Sequence, residues 1–295
     1  MSKSKVYLLS TTDRASGVRR CVEFAKLPDY TGKTVFVKPN LNSADPTPGS
    51  THNDTIDALL GAIRERNPAK IILGERSGPA VVAEVFESKG WAEICGRHGA
   101  EFLDFETLPP EGWAPVDRPG LHWPAGTLKV PCALREADAV IATCCLKTHG
   151  FGGVFSNSLK LAVGITPKDF ATLHGSQDMR KMVAEINLAY SPDLVVVDAL
   201  EVFTDGGPMA GERKRADLML AGSGRVALDA VGLAILKSLG SNNAIMDTPI
   251  FEQEQMARAV ELGLGAKSAE EIEIVTDDEK SAEAAAQIWE ILKSA

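Results

Sequence analysis

Short apolar runs alternate with amphipathic stretches along almost the whole chain. Eight runs rich in apolar residues predict buried strands at residues 6–9, 34–37, 70–74, 101–104, 138–143, 193–198, 218–221 and 271–275. Between these runs, helical patterns predict helices at residues 17–26, 54–66, 79–88, 91–98, 226–239, 251–262 and 281–294. Continuous apolar strands separated by helices are typical of a parallel sheet covered on both faces. The pattern therefore predicts an α/β fold with a mostly parallel sheet and helices on both faces.

The chain has no internal repeat and no low-complexity linker. Residues 1–295 are therefore interpreted as a single α/β domain, with two interlocked subdomains as the alternative. Residues 106–123 are rich in Pro, Gly and Trp and have little periodicity, which predicts an irregular excursion from the core. The last helix carries Ile288, Ile291 and Leu292 on one face, which packs either on its own sheet or on a second subunit. If this face packs on a second subunit, the protein is expected to be a homodimer.

The composition narrows the classes of function. With 295 residues, 44% of them apolar and 24% charged, the chain is typical of a globular protein with a sizeable core. A net charge of −9 argues against general nucleic-acid binding, which needs a cationic surface. No apolar run approaches the roughly 18 residues of a membrane span, and residues 1–5 contain no signal-peptide core. We therefore expect a soluble, cytoplasmic protein that binds neither nucleic acids nor membranes.

The cysteines do not indicate a metal ribbon or a cluster motif. There are five of them, and no two are spaced as CxxC. Cys144 and Cys145 follow an apolar run, so they are interpreted as the buried end of a strand. Because successive side chains of a strand point to opposite faces of the sheet, this pair is not predicted to bind one ion jointly.

Polar residues follow four of the predicted strands at the same end. These residues are Lys38, Asn40, Asn42, Glu75, Arg76, Ser77, Lys147, Thr148, His149 and Asp198. Ligands of open α/β sheets bind at the carboxyl ends of the strands, where the loops begin. The pattern therefore predicts a shared cleft. The alternative explanation is that these residues are polar only because loops are exposed to solvent.

Residues 144–182 form a basic segment with a net charge of +3 in a protein of −9. It contains two of the five histidines, His149 and His174, and glycines at residues 150, 152 and 153. Glycines allow close approach of a ligand, and residues 156–158 are predicted to start a helix whose first N–H groups face an anion. The segment has neither a Walker A motif nor a GxGxxG motif.

Two further loops are candidates for function. Residues 40–54 form a long polar loop before a helix that Thr51 or Asn53 is expected to cap. Residues 204–211 form a turn cluster in which Asp205 is either a turn former or a ligand contact.

These loops, in this order, resemble the domain of unknown function 362 family. The matching segments are residues 37–41, 51–52, 74–77, 146–149, 158–160, 197–199, 205–208, 227–230 and 263–265. The similarity covers nearly the whole chain, and the family is named for its lack of an assigned reaction. Leu161 and Ala162 depart from the family, which usually has a Lys-Asn pair after the position of Lys160.

The resemblance implies a link to redox or anaerobic metabolism. Many members carry an appended ferredoxin-like module with two cysteine-rich cluster motifs, which are absent from this sequence. A separate ferredoxin-type protein is therefore the partner that the resemblance suggests. The family is also similar to nickel-dependent lactate racemases, which bind a carboxylate between basic residues and use histidines for proton transfer.

The first functional hypothesis is an enzyme that binds a small anionic metabolite, a carboxylate or a phosphate, in a cleft lined by lysine and histidine. His149, Lys147 and Glu75 are the predicted catalytic residues, with His149 moving a proton and Glu75 or Asp198 orienting it. The predicted ligand-binding residues are Lys38, Asn40, Lys160, Asp198 and Asp205.

Two alternatives belong to other classes of function. One is a metal-binding or iron–sulfur-associated redox protein with His52, His149 and His174 as candidate ligands. The other is a non-catalytic sensor with the same anion pocket. No cofactor is specified by the sequence.

Overall fold

The computed structural model describes residues 3–294. Met1 and Ser2, which belong to the N-terminal stretch without a signal-peptide core, lie outside the described residues, as does Ala295. Within residues 3–294, none of the helices is both long enough and apolar enough to cross a membrane.

The described chain forms eleven strands and twelve α-helices. The strands are β1 (Ser4–Ser10), β2 (Thr34–Lys38), β3 (Lys70–Glu75), β4 (Ala100–Asp104), β5 (Trp113–Pro115), β6 (Lys129–Pro131), β7 (Ala139–His149), β8 (Val154–Ser156), β9 (Leu194–Gly206), β10 (Gly211–Gly222) and β11 (Ile272–Val275). The helices are α1 (Arg14–Ala25), α2 (Asn53–Arg64), α3 (Val82–Ser88), α4 (Trp91–His98), α5 (Cys132–Glu136), α6 (Ser158–Leu161), α7 (Phe170–His174), α8 (Met179–Ile186), α9 (Arg225–Ser238), α10 (Asn243–Met246), α11 (Glu254–Glu261) and α12 (Glu279–Ser294).

Nine strands form one sheet in the order β11-β1-β10-β9-β7-β2-β3-β4, and β8 pairs with β7 beside this path. Five neighbouring pairs are parallel: β11 with β1, β9 with β7, β7 with β2, β2 with β3, and β3 with β4. Strand β10 runs antiparallel to both of its neighbours. Strands β5 and β6 form a separate two-stranded sheet. The predicted mostly parallel sheet is confirmed.

Each face of the large sheet has its own apolar core. In β9, Val195 and Val197 point into a core that includes residues of α8, α9, α11 and α12. Leu194 and Val196 point into a second core with residues of α1, α2, α3 and α4. Successive side chains of a strand point to opposite faces, so a strand buried on both sides is apolar at every position. Helices on both faces, as predicted, are confirmed.

Three strands are longer than the predicted ones. The predicted runs at 138–143, 193–198 and 218–221 overlap β7, β9 and β10, and each of these strands is extended by polar residues. The continuation is held by backbone pairing, because β9 and β10 form an antiparallel hairpin in which Gly211 pairs with Gly206. Backbone hydrogen bonds do not require apolar side chains, so the hydrophobic pattern marks only the buried portion of each strand.

Residues 106–123 contain short 3₁₀ turns and strand β5. The end of this segment packs against α8, where the indole N–H of Trp123 donates to the carbonyl of Met182 at 2.9 Å.

Candidate active site

Four consecutive strands of the sheet, β9, β7, β2 and β3, are mutually parallel. Their carboxyl ends therefore lie at one edge of the sheet, and a cavity of about 560 Å³ opens there. Seven residues to which the sequence assigns a catalytic, ligand-binding or metal-binding role line it: Lys38, Asn40, Glu75, Lys147, His149, Lys160 and His174. Ligands of parallel sheets bind at this kind of edge.

Three other candidates do not line the cavity. Asp198 is buried in β9, where it accepts hydrogen bonds from Arg14 Nε at 2.8 Å and Thr55 Oγ1 at 3.1 Å. Asp205 is exposed and accepts from Asn242 Nδ2 at 3.2 Å. His52 caps helix α2, since its Nδ1 accepts from the backbone N–H of Asp54 at 3.1 Å. The expected cap by Thr51 or Asn53 is therefore wrong.

Lys38 and Glu75 form a buried ion pair at the floor of the cavity, with 2.6 Å between Nζ and Oε2. The backbone N–H groups of Leu41 and Arg76 each donate to Glu75 at 3.0 Å. Burial lowers the pKa of Lys38 and raises that of Glu75, and the ion pair opposes both shifts. The Glu75 carboxylate is thus held by Lys38 and the backbone, and among the described residues it makes no hydrogen bond to His149.

The side chain of Lys147 holds the long loop that follows β2. Its Nζ donates to Asn40 Oδ1 at 2.8 Å and to the carbonyls of Pro48 at 2.5 Å and Gly49 at 2.8 Å. An ammonium group has three N–H donors, so all of them are engaged. Burial is the main cause of the lowered pKa of Lys147. Lys147 and Asn40 thus hold the loop that forms one wall of the cavity.

Arg76, one of the strand-end residues of the predicted cleft, also lines the cavity, although the sequence assigns it no catalytic or ligand-binding role. Its Nε donates to Thr166 O at 2.7 Å, and its Nη2 donates to Val163 O at 2.8 Å and to Thr166 Oγ1 at 3.3 Å. Nη1 donates to Ser77 O at 3.2 Å. These bonds leave one Nη1 donor without an acceptor in residues 3–294. Its position directly after Glu75 at a strand end was the available signal.

Lys160 differs from the other two buried lysines of the described chain. It lies on α6 and is 8% exposed, yet no hydrogen bond or ion pair joins its Nζ to any described residue. Burial lowers its pKa to about 7, with further contributions from the charges of Arg76 and Lys147. The cavity therefore contains a buried amine that is free to interact with a ligand.

His149 lies beside Lys160 at the end of β7. A Cβ atom built on Gly153 would lie 2.8 Å from Lys160 Cε and 2.9 Å from His149 Nδ1, so both side chains lie against the same glycine. His149 Nδ1 is buried and has no partner within residues 3–294. Burial lowers the pKa of His149 to about 2, with Lys160 and Lys147 adding to the shift. The imidazole is therefore neutral at ordinary pH.

The predicted helix start near residues 156–158 is confirmed, but its predicted role is wrong. Helix α6 begins at Ser158, whose backbone N–H donates to the buried carboxylate of Asp229 at 2.8 Å. The N–H of Leu159 donates to the same carboxylate at 3.3 Å. Burial raises the pKa of Asp229 to about 7. The side chain of Asp229, which lies on α9, thus accepts from the N–H groups of Ser158 and Leu159. These two N–H groups are therefore not available to an anion in the cavity.

Comparison with known families agrees with the motifs around this cavity. The profile described as Domain of unknown function (DUF362) matches residues 35–234, which is more than half of the chain. The protein belongs to the DUF362 family. The matched region contains every residue that lines the cavity, from Lys38 to Met209.

No curated protein sequence matches this DUF362 protein. Among solved structures, the lactate racemase apoprotein from Thermoanaerobacterium thermosaccharolyticum is similar to it. The two share 14% sequence identity with a TM-score of 0.47, over 98% of this chain and 86% of that one.

The rim of the cavity in the DUF362 protein comes from α7, α8 and the loop before β8. The loop supplies Phe151, which is 59% exposed, and α7 supplies Phe170 and His174, whose rings stack with centroids 5.7 Å apart. Burial is the main cause of the lowered pKa of His174. The sequence contained a signal for α8, because Met179, Met182, Val183 and Ile186 recur at helical spacing.

The candidate metal ligands are not gathered into one centre. Within residues 3–294, no three side chains of His, Cys, Asp or Glu are grouped so that they could hold a metal ion. Cys144 packs in the first core, where its Sγ lies 3.4 Å from Asn157 Oδ1. Both cysteines of the adjacent pair are buried in β7, as the sequence pattern predicted.

Proposed function

We propose that this DUF362 protein is an enzyme that binds a small anionic metabolite, a carboxylate or a phosphate, in the cavity at the carboxyl ends of β7, β2 and β3. The observation that carries this proposal is the charge of the lining. Among the described residues, five basic side chains line the cavity against one carboxylate, that of Glu75. The basic residues are Lys38, Arg76, Lys147, Lys160 and Arg180. Such a concentration of one sign attracts an anion, and burial strengthens the attraction because it lowers the local dielectric constant.

The basic residues have different roles in this proposal. Lys160 contacts the anion directly, because its ammonium group has no other acceptor among residues 3–294. The remaining Nη1 donor of Arg76 is the second contact. Lys38 and Lys147 contribute their charge, but their N–H groups hold Glu75 and the loop at residues 40–50. Lys38 and Lys147 therefore act on the anion through their electrostatic field and by shaping the wall of the cavity.

His149 is the group that moves a proton in this proposal. Its burial, and then the charges of the neighbouring cations, lower the pKa of the imidazole and keep it neutral. A bound anion offsets the charge of Lys160 and therefore raises the pKa of His149 toward the range in which it accepts a proton. Nδ1, which is buried without a partner, is the atom that receives it. The ligand itself would thus activate the base.

Calorimetric titration with inorganic phosphate and with pyruvate tests the anion site. We expect both to bind the wild-type protein and to bind at least about tenfold more weakly to Lys160→Met and Arg76→Met, which each remove a charge-assisted contact. Lys70→Met is the matched control, because Lys70 begins the strand that ends at Glu75 and is 43% exposed beside Glu101. An unchanged affinity in Lys160→Met, or an equal loss in Lys70→Met, would contradict the proposal.

His149→Ala separates an enzyme from a sensor that has the same pocket. Removal of a proton-transfer group lowers turnover by roughly 10²–10⁴-fold while it leaves ligand affinity within about tenfold. A sensor would show no turnover in either protein and would lose only affinity. Exchange of ligand C–H hydrogens with deuterated water, followed by NMR, measures the proton transfer directly.

A further inference from the structure

We propose that the side-chain amine of Lys160 condenses with a carbonyl group of the bound ligand, so that the substrates are small oxo acids, which carry a carboxylate and a ketone or aldehyde. This inference rests on the proposed anion site and adds a covalent step to it. Three features of the structure support it: the isolation of the amine, its neighbours, and the position of His149.

The isolation of the Lys160 amine is unusual for a buried lysine. Lys38 is 1% exposed and Lys147 is 2% exposed, and their Nζ atoms have two and three acceptors respectively. Lys160 is 8% exposed and has none among the described residues. Buried lysines are normally paired because an isolated ammonium group is costly to bury. An amine kept without a partner beside a cavity is suited to contact, and to react with, a ligand.

The neighbours of Lys160 favour its unprotonated form. Desolvation and a nearby cation are the two means by which proteins turn a lysine into a nucleophile. Both are present here, since burial, Arg76 and Lys147 all lower the pKa of Lys160. A substantial fraction of the amine is therefore neutral near neutral pH, and its lone pair is available to attack a carbonyl carbon.

The backbone around Lys160 also positions the amine. Helix α6 is anchored at its start by Asp229, and Asn187 Nδ2 donates to Leu159 O at 3.0 Å. Leu159 and Leu161 on either side of Lys160 are buried in the first apolar core. The stem of the side chain therefore leaves a fixed helix, as an attacking group requires.

His149 can carry the proton of the condensation. The nitrogen lone pair of Lys160 forms a bond to the carbonyl carbon, and the carbonyl electron pair moves to its oxygen, which takes up a proton. Nitrogen loses two protons in turn, and His149 Nδ1 accepts each of them. It passes the first to the carbonyl oxygen, which becomes a hydroxyl group, and the second to that hydroxyl group, which leaves as water. One C=O and one amine thus give one C=N bond and one water molecule, without an oxidant or reductant. The free donor of Arg76 holds the carboxylate during this step.

Chemical trapping tests the inference. The full-length protein is incubated with pyruvate and cyanoborohydride, which reduces a C=N bond to a stable amine, and peptides are then analysed by mass spectrometry. We expect the peptide with Lys160 to gain the mass of one pyruvic acid less one oxygen atom. We also expect Lys70→Met to keep this adduct and Lys160→Met to lose it.

Lys160→Arg separates the covalent step from the anion site. The guanidinium group retains the positive charge but is not a nucleophile at neutral pH, because its pKa stays above about 12. We expect this variant to give no adduct while inorganic phosphate still binds to it in calorimetry. An adduct that persists in Lys160→Met, or lies on other lysines alone, would overturn the inference. Loss of phosphate binding in Lys160→Met without any wild-type adduct would leave the proposed anion site standing and refute the covalent step.

Discussion

The amine of Lys147 lies 2.8 Å from the side-chain oxygen of Asn40, and the same amine reaches the carbonyls of Pro48 and Gly49. One side chain at the end of β7 thus fixes both ends of a loop that follows β2. This arrangement makes the loop a fixed wall of the cavity.

Replacement of Lys147 by methionine is expected to release this loop. Three buried acceptors lose their donor, and we expect the free energy of unfolding to fall by about 2–4 kcal/mol. Urea denaturation measures the loss, and hydrogen exchange of residues 40–51 shows whether it is localised to the loop. Lys70→Met serves as the exposed control. Unchanged exchange in this segment would show that Lys147 does not hold it.

Gly164→Ala is expected to disturb the ion pair of Lys38 and Glu75. A Cβ atom at this position would lie 2.7 Å from Lys38 Nζ and would also collide with Glu75 Oε1. Because both side chains are buried, we expect a loss of about 1–3 kcal/mol in stability and weaker binding of phosphate. Gly96→Ala is the control, since that glycine lies in α4 with no atom within 4 Å of the added Cβ. There the change should stabilise the helix by up to about 1 kcal/mol. Equal effects at the two sites would contradict the packing argument.

The stability of Lys160→Met relative to the wild type is expected to depend on pH. The pKa of Lys160 is lowered to about 7 in the folded protein, from 10.5. Below pH 7 the amine is charged in both the folded and the unfolded state, so the full cost of its burial is present and the variant is more stable. As pH rises from 7 toward 10.5, the folded protein releases this proton before the unfolded chain does, and the wild type regains stability. The advantage of the variant is at most about 5 kcal/mol and shrinks with rising pH.

Urea denaturation at several pH values between 6 and 9 measures this difference. Lys70→Met provides the baseline, because Lys70 is exposed. If the difference in the free energy of unfolding between Lys160→Met and the wild type is constant, or grows with pH, then folding does not lower the pKa of Lys160.

His149 is expected to remain neutral to unusually low pH. Its pKa is lowered to about 2, first by burial and then by the charge of Lys160. NMR chemical shifts of the imidazole should therefore show no titration between pH 5 and 8 in the free protein. In Lys160→Met the pKa should rise but stay below its ordinary value, because burial remains. Saturating phosphate should raise it in the wild type, and an ordinary titration near pH 6.5 in the free protein would refute this account.

The strand ends show how much of this site could be predicted from sequence. Glu75 and Lys147 each follow an apolar run, which predicts that they lie at a strand end, and β2, β3 and β7 do meet at one edge of the sheet. Burial leaves a local pattern in the sequence, so the helices and strands and the edge that carries the site were predictable.

The partners of these side chains could not be predicted in the same way. Lys147 donates to a carbonyl 98 residues away, and the start of α6 is capped by an aspartate 71 residues away. Nothing in the local sequence distinguishes Lys147, whose donors are all engaged, from Lys160, whose amine is free. That difference depends on which distant backbone comes within about 3 Å, which the order of strands in the sheet decides.

The first strand of the protein has a consequence for its synthesis. Strand β1 pairs with β10 and β11, whose residues leave the ribosome about two hundred or more positions later. The backbone groups of β1 therefore stay unpaired until more than two hundred further residues have been synthesised. Contacts so distant along the chain slow folding and leave an open strand edge in the nascent protein. The parallel strands that surround the cavity lie between these ends, so they can assemble before the N- and C-terminal strands close the sheet beside them.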